Sequence, residues 1–137
     1  MKVFKFFTVT FLLVITIVVF NNCNRNDDCD PSLYCDTLPY DSGYVKIRSS
    51  FNGNGIPIVV YDGFADDNVV LFYDTMYATE YSYYLPLGKR YAVEAYYYEL
   101  NKTIIALDGD KLKESTFWNC DEECHELAEI TLDVKKL

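Results

Sequence analysis

The chain has 137 residues, a formal net charge of −9 and 13 tyrosines. A surface this acidic repels nucleic-acid backbones and anionic lipid headgroups, which argues against both as partners bound through basic side chains. Tyrosine and β-branched residues suit the half-buried surface of a sheet, so the composition predicts an all-β fold.

The first segment of the chain has the pattern of an N-terminal targeting signal rather than of a part of the fold. Lys2 and Lys5 precede a mainly apolar run that has no charge between residues 6 and 20. This run is too short to span a bilayer and is typical of the hydrophobic region of a signal peptide. Cys23 and an aspartate-rich tract follow it. We therefore predict that residues 1–22 are a signal peptide.

The junction formed by Phe20, Asn21, Asn22 and Cys23 resembles the processing site of bacterial lipoproteins. The resemblance implies that Cys23 becomes the first residue of the mature chain and carries acyl chains, which together anchor a protein stably to a membrane. It also implies attachment to the outer membrane of a Gram-negative bacterium, facing the periplasm or the cell surface. The alternatives are an uncleaved signal anchor and ordinary secretion with Cys23 in a disulfide.

The next segment has no hydrophobic period and is rich in Asn, Asp and Pro. Residues 23–42 are accordingly interpreted as an acidic tether between the lipid and the fold. Residues 43–137 then have the size of one ordinary domain, so no second domain is expected.

Seven short apolar runs separated by turn signals follow in this domain. We predict strands at residues 44–49, 56–61, 69–75, 80–85, 89–99, 103–107 and 127–134. In the longest run, Tyr91, Val93, Ala95 and Tyr97 share one face. Seven strands at this spacing predict a single antiparallel β-sandwich. The segment at 111–123 has no period and is predicted to be irregular.

Two stretches within the predicted sandwich, residues 55–63 and 84–93, resemble prealbumin-type and carboxypeptidase-regulatory-type modules. Residues 43–137 as a whole also resemble small bacterial lipoproteins that combine such a sandwich with a cysteine-rich loop. The resemblance implies an immunoglobulin-like or prealbumin-like fold and an envelope location. It implies no activity.

Four cysteines remain if Cys23 carries lipid, an even number that suits an oxidising compartment. They are Cys29, Cys35, Cys120 and Cys124. Pairing of the first two with the last two is favoured, because the first and last strands of such sandwiches often lie side by side and because a long loop constrains the unfolded chain more than a short one. Local pairs remain open. A zinc site from Cys120, Cys124 and His125 is the functional alternative, but oxidising compartments favour disulfides over thiolates.

Two kinds of ligand site are visible as weak candidates. Two acidic loops offer oxygen ligands to calcium, although neither has EF-hand spacing. Their carboxylates are Asp62, Asp66, Asp67, Asp108 and Asp110. Tyrosines on an outward face offer large contact area for protein or glycan recognition at low entropic cost, unless that face packs against other structure. These candidates are Tyr84, Tyr96 and Tyr98, near Glu94.

No arrangement of nucleophile, base and orienting group is visible in the sequence. His125 is the only histidine and has no nucleophile motif nearby. We therefore predict a non-enzymatic protein without a cofactor, a lipid-anchored interaction or structural module whose partner is an envelope protein or a glycan. A glycan- or calcium-binding sandwich module is the alternative.

Overall fold

The computed structural model describes residues 29–136. The predictions for the signal peptide and for Cys23 lie outside the described residues. Within the described range the chain is all-β, as predicted, with nine strands and one turn of 3-10 helix at Ala65–Asp67. No helix in residues 29–136 is long and apolar enough to cross a bilayer. The strands are β1 (Ser42–Arg48), β2 (Ile56–Asp62), β3 (Val70–Met76), β4 (Glu80–Pro86), β5 (Arg90–Glu99), β6 (Lys102–Lys111), β7 (Ser115–Asn119), β8 (Glu122–Glu126) and β9 (Glu129–Asp133).

The strands form two larger sheets and a separate hairpin. The three-stranded sheet has the order β4-β1-β9, the four-stranded sheet has the order β3-β2-β5-β6, and β7 pairs with β8 alone. All pairs are antiparallel except β1 with β9, which run parallel. The predicted purely antiparallel arrangement is therefore wrong for that pair, while the predicted contact between the first and last strands is confirmed.

The two larger sheets share one hydrophobic core, which gives the domain a sandwich-like arrangement. Alternate residues of β5 point into this core, as predicted, because side chains alternate across a strand. The core residues of the strands are Val45, Ile47, Ile56, Ile58, Val60, Met76, Tyr91, Val93, Ala95, Tyr97 and Leu132. Full burial of a side chain of this size stabilises the fold by about 1.5–3 kcal/mol relative to exposure.

The hairpin of β7 and β8 accounts for the two strands beyond the predicted seven. Within it only Asn119 and Cys124 are buried, so the hairpin leaves no hydrophobic alternation in the sequence. Its turn residues Cys120 and Asp121 have φ values of 49° and 68°. Two consecutive positive φ values are typical of a type I′ hairpin turn, which usually contains Asn or Gly.

Residues 108–110, interpreted above as part of an acidic loop, instead continue β6 to Lys111. A Cβ at Gly109 would lie 3.0 Å from the Ala92 Cβ and from the Tyr91 carbonyl oxygen. Gly109 therefore permits a close approach of β6 to β5 within the ladder, and the glycine does not mark a chain reversal.

Two disulfides join the N-terminal described segment to the hairpin. Cys29 pairs with Cys120 and Cys35 with Cys124, with Cα–Cα distances of 4.6 and 5.0 Å. This confirms the favoured pairing and rules out the zinc site, because every sulfur it required is in a disulfide. The predicted tether is thus fastened to the hairpin from Cys29 onward.

Candidate functional site

One face of the four-stranded sheet points away from the shared core, and we call it the outer face. The strand register places Val59 of β2 opposite Tyr73 of β3 and Glu94 of β5 on this face. Its members are Pro57, Val59, Tyr61, Tyr73, Thr75, Ala92, Glu94, Tyr96, Tyr98, Ile105 and Leu107. Among the described residues no further sheet covers it.

Several large side chains of the outer face are open to solvent. Tyr73 is 73% exposed, Tyr98 is 70% exposed, and Ile105 and Leu107 on β6 are each more than half exposed. Single exposed apolar residues are ordinary, but a group of neighbours on one sheet face is typical of an interaction surface. The outer face is therefore the strongest candidate for a binding surface in the described chain.

A cleft of about 520 Å³ lies on the outer face, and we call it the tyrosine cleft. Its lining residues are Pro57, Ile58, Val59, Tyr73, Asp74, Thr75, Tyr77, Tyr96 and Tyr98. The small side chains come from β2 and leave space between tyrosines of β3 and β5. The cleft is shallow and open to solvent over most of its extent.

Glu94 fixes one wall of the cleft through a shared hydrogen-bond acceptor. The hydroxyls of Tyr61 and Tyr96 both donate to Oε2 of Glu94, at 2.9 and 2.5 Å. The hydrogen bond to this carboxylate raises the pKa of Tyr96, and burial together with the same bond raises the pKa of Tyr61. Both phenols therefore stay neutral at physiological pH. Tyr61 also packs with Val59, Ala65 and Ala92 in a small second cluster beneath Tyr96.

The structure divides the three predicted tyrosines between the two sheets. Tyr96 and Tyr98 line the cleft, but Tyr84 lies on β4, with its ring centroid 5.3 Å from that of Tyr44. Tyr73 and Tyr77 complete the cleft and were missed by the sequence analysis. They belong to β3 and the turn after it, where apolar residues on both faces conceal which side is outward.

The predicted calcium ligands are dispersed, and no three carboxylate, histidine or cysteine side chains converge in the described chain. Asp62 forms an ion pair with Lys89. Asp66 and Asp108 do line one cleft of about 270 Å³, but the Arg90 side chain lines it as well. Three of the carboxylates accept backbone hydrogen bonds, namely Asp67 from Phe64, Asp108 from Gly109 and Asp133, and Asp110 from Lys111.

His125 lies in the hairpin, outside the lining of the tyrosine cleft. Its backbone N–H donates to the Asp36 carbonyl at 2.7 Å, which helps to fasten the N-terminal segment. Its buried Nδ1 is 2.7 Å from a carboxylate oxygen of Glu114, although not aligned as a hydrogen bond. These contacts give His125 a structural position in the hairpin.

The lining of the tyrosine cleft suits recognition better than catalysis. It contains one carboxylate, Asp74, whose oxygens accept from the Tyr83 hydroxyl and the Thr75 N–H at 2.6 Å each. Comparison of the chain with protein-family models, with curated proteins and with solved structures gives no match. Function is therefore inferred from these residues.

Proposed function

We propose that the chain is a lipid-anchored, non-catalytic interaction module of a Gram-negative cell envelope, and that the outer face is its contact surface. In this proposal residues 1–22 are removed, Cys23 carries the lipid and outer-membrane attachment follows. The domain is an immunoglobulin-like or prealbumin-like sandwich to which the β7–β8 hairpin is added. The seven strands of the two larger sheets and the contact of β1 with β9 support that fold type.

The two disulfides support export to an oxidising compartment. Disulfides persist in periplasmic and extracellular proteins and are rare in the reducing cytosol. Cys29 and Cys35 each pair with a cysteine about 90 residues away. Both bonds therefore stabilise the domain only where it can be oxidised, which agrees with the signal-peptide pattern of the first 22 residues.

The exposed tyrosines of the outer face are the observation that carries the interaction role. Tyrosine offers a rigid, amphipathic contact surface, and its ordering on binding costs little entropy. Tyr96 is already held by Glu94, so this part of the surface is preorganised. Preorganisation lowers the cost of association.

A glycan is the second candidate partner, because the cleft combines phenol rings with polar groups. Ring faces can stack on the C–H face of a sugar, while Asp74 and Thr75 offer hydrogen-bonding groups at the rim. The calcium alternative gains no comparable support, since four of its five carboxylates have other partners and the five do not converge.

The anchor is tested by the intact mass of the full chain expressed in a Gram-negative host. We expect a chain that begins at Cys23 with added acyl mass, and a gain of two hydrogens per disulfide on reduction. A chain that retains residues 1–22, or one with an unmodified Cys23, would contradict the anchored form.

The contact surface is tested by a photo-cross-linking amino acid introduced at position 98 in the native cells. Position 84 is the matched control, because it also holds an exposed tyrosine but lies on the other sheet. We expect discrete cross-linked species from position 98 that are absent from position 84. Equal cross-linking from both positions, or none from position 98, would remove the outer face from the proposal.

A further inference from the structure

Among the edge strands of the two larger sheets, β3 has the least protected outer edge. The two larger sheets have four edge strands, β3, β4, β6 and β9. β6 and β9 approach each other, since the Asp133 N–H donates to Asp108 Oδ2 at 2.7 Å. β4 ends in Pro86 and begins with Glu80, which is paired with Arg48. Proline and charged side chains are the usual protection of edge strands against pairing with another chain.

β3 has less of this protection. Its sequence from Val70 to Met76 contains no proline, lysine or arginine, and Asp74 is its only charged residue. Val70, Leu71 and Tyr73 are exposed. An exposed, mainly apolar edge strand offers unpaired backbone groups to an incoming extended segment.

The tyrosine cleft adjoins this edge. Tyr73, Thr75 and Tyr77 lie on β3 or directly after it and line the cleft together with Tyr96 of β5. A strand added to β3 would lie about 4.8 Å from it and would direct alternate side chains toward the same face. One long side chain of such a strand would therefore extend across Thr75 into the cleft.

The charge of this region indicates the chemistry of the partner. No lysine or arginine lines the cleft, and the carboxylate of Glu94 lies on the same sheet face. Tyrosine rings attract a cation placed over their faces. The whole chain carries a formal charge of −9, so a second copy would be repelled and a basic partner attracted.

From these observations we infer that the free edge of β3 takes up an extended, arginine- or lysine-bearing segment of a partner protein as an added strand, with one basic side chain in the tyrosine cleft. This inference rests on the proposed interaction role and specifies its partner. Main-chain pairing supplies affinity, and the cleft selects the side chain.

The probe is a fluorescently labelled peptide of alternating arginine and valine. Its binding to the full chain in detergent is measured by fluorescence anisotropy. The salt concentration is about 0.15 M, because exposed charges are then screened beyond about 8 Å. Two further peptides serve as controls: one with glutamate in place of arginine, and one of equal positive charge interrupted by proline. We expect binding of the first peptide alone, together with slowed hydrogen exchange of β3 amides.

Two variants with the same change in charge locate the site. Tyr73→Lys removes a wall of the cleft and places a cation on β3, so we expect binding to weaken about tenfold or more, as at an interface hot spot. Tyr84→Lys makes the same substitution at an exposed tyrosine of the three-stranded sheet, outside the outer face, and should change binding less than about twofold.

Each contrary outcome has a distinct meaning. Equal binding of the proline-interrupted peptide, equal loss in both variants, or exchange protection outside β3 would overturn strand addition. Binding of a neutral oligosaccharide without binding of the arginine peptide would replace the peptide by a glycan, and a dimer paired through β3 would replace it by a second copy. Absence of peptide binding while position 98 still cross-links would contradict this inference alone and leave the proposed function intact.

Discussion

Removal of both disulfides together should cost more stability than the sum of the two single removals. The Cys29–Cys120 bond closes a loop with a sequence separation of 91, and Cys35–Cys124 one of 89. With either bond intact, however, the other closes only a small ring. That ring contains the chain from Cys29 to Cys35 and from Cys120 to Cys124, which is about ten residues.

Loop-closure entropy converts this topology into magnitudes. A loop of about 90 residues gives about 4.6 kcal/mol of stabilisation at 25 °C, and a ring of about ten residues gives about 2.7 kcal/mol. Loss of either bond should therefore cost about 2.7 kcal/mol, and loss of both about 7.3 kcal/mol. The pair of losses exceeds additivity by about 2 kcal/mol, because whichever bond remains confines both segments.

The assay is urea unfolding of alanine variants made in pairs, so that no free thiol is left, in a Cys23→Ser background. Cys124 is fully buried and Cys120 is exposed. The pair Cys35→Ala and Cys124→Ala should therefore cost somewhat more than the pair Cys29→Ala and Cys120→Ala. Strictly additive losses, or single losses as large as the combined one, would refute the entropic reasoning. An unchanged stability would show that residues 29–41 unfold separately from the sandwich.

Three further outcomes follow from the described contacts. Tyr97→Phe should lower the free energy of unfolding in urea by about 1–3 kcal/mol, because the buried hydroxyl donates to the Val134 carbonyl at 2.6 Å and accepts from the Ser50 N–H. The control Tyr98→Phe, at an exposed neighbouring tyrosine, should leave the free energy of unfolding almost unchanged. The raised pKa of Tyr61 means that its contribution to stability is complete below the pKa of an unfolded tyrosine, about pH 10, and is lost as the pH rises through the folded value. Stability measured against pH should therefore fall above about pH 10, and less steeply in Tyr61→Phe. Chelators should leave the Tm unchanged, and a fall on adding EDTA would revive a calcium site.

Period-two alternation was sufficient to predict several of the strands that contribute to the shared core. β1, β5 and β9 bury one face and leave the other at least partly open, so the alternation of their residue types predicts their burial pattern. The hairpin escaped prediction because its position depends on two disulfides and on backbone bonds such as that of His125 to Asp36. Neither leaves a hydrophobic period.

Only two of the four tyrosines that line the cleft could be predicted from the sequence, for a related reason. Tyr96 and Tyr98 alternate with core residues on β5, so their shared outward face could be inferred from one strand. Tyr84 alternates in the same way on β4, but its strand belongs to the other sheet. Which strands are neighbours depends on long-range pairing, and no local pattern encodes that.

The disulfides also determine how far the domain can stand from a membrane if Cys23 carries lipid as proposed. Cys29 is only six residues beyond Cys23 and is bonded to the hairpin, so the covalent link reaches at most about 20 Å. Reduction of both disulfides would lengthen the link to the start of β1 at Ser42, which allows about 60–70 Å.

Trp118, the only tryptophan, is exposed on this hairpin and reports its position. We expect quenching of its fluorescence by spin-labelled lipid headgroups in vesicles carrying the lipidated chain, and loss of that quenching on reduction under conditions where the fold persists. Quenching that is absent before reduction would place the hairpin away from the bilayer and contradict anchoring through Cys23.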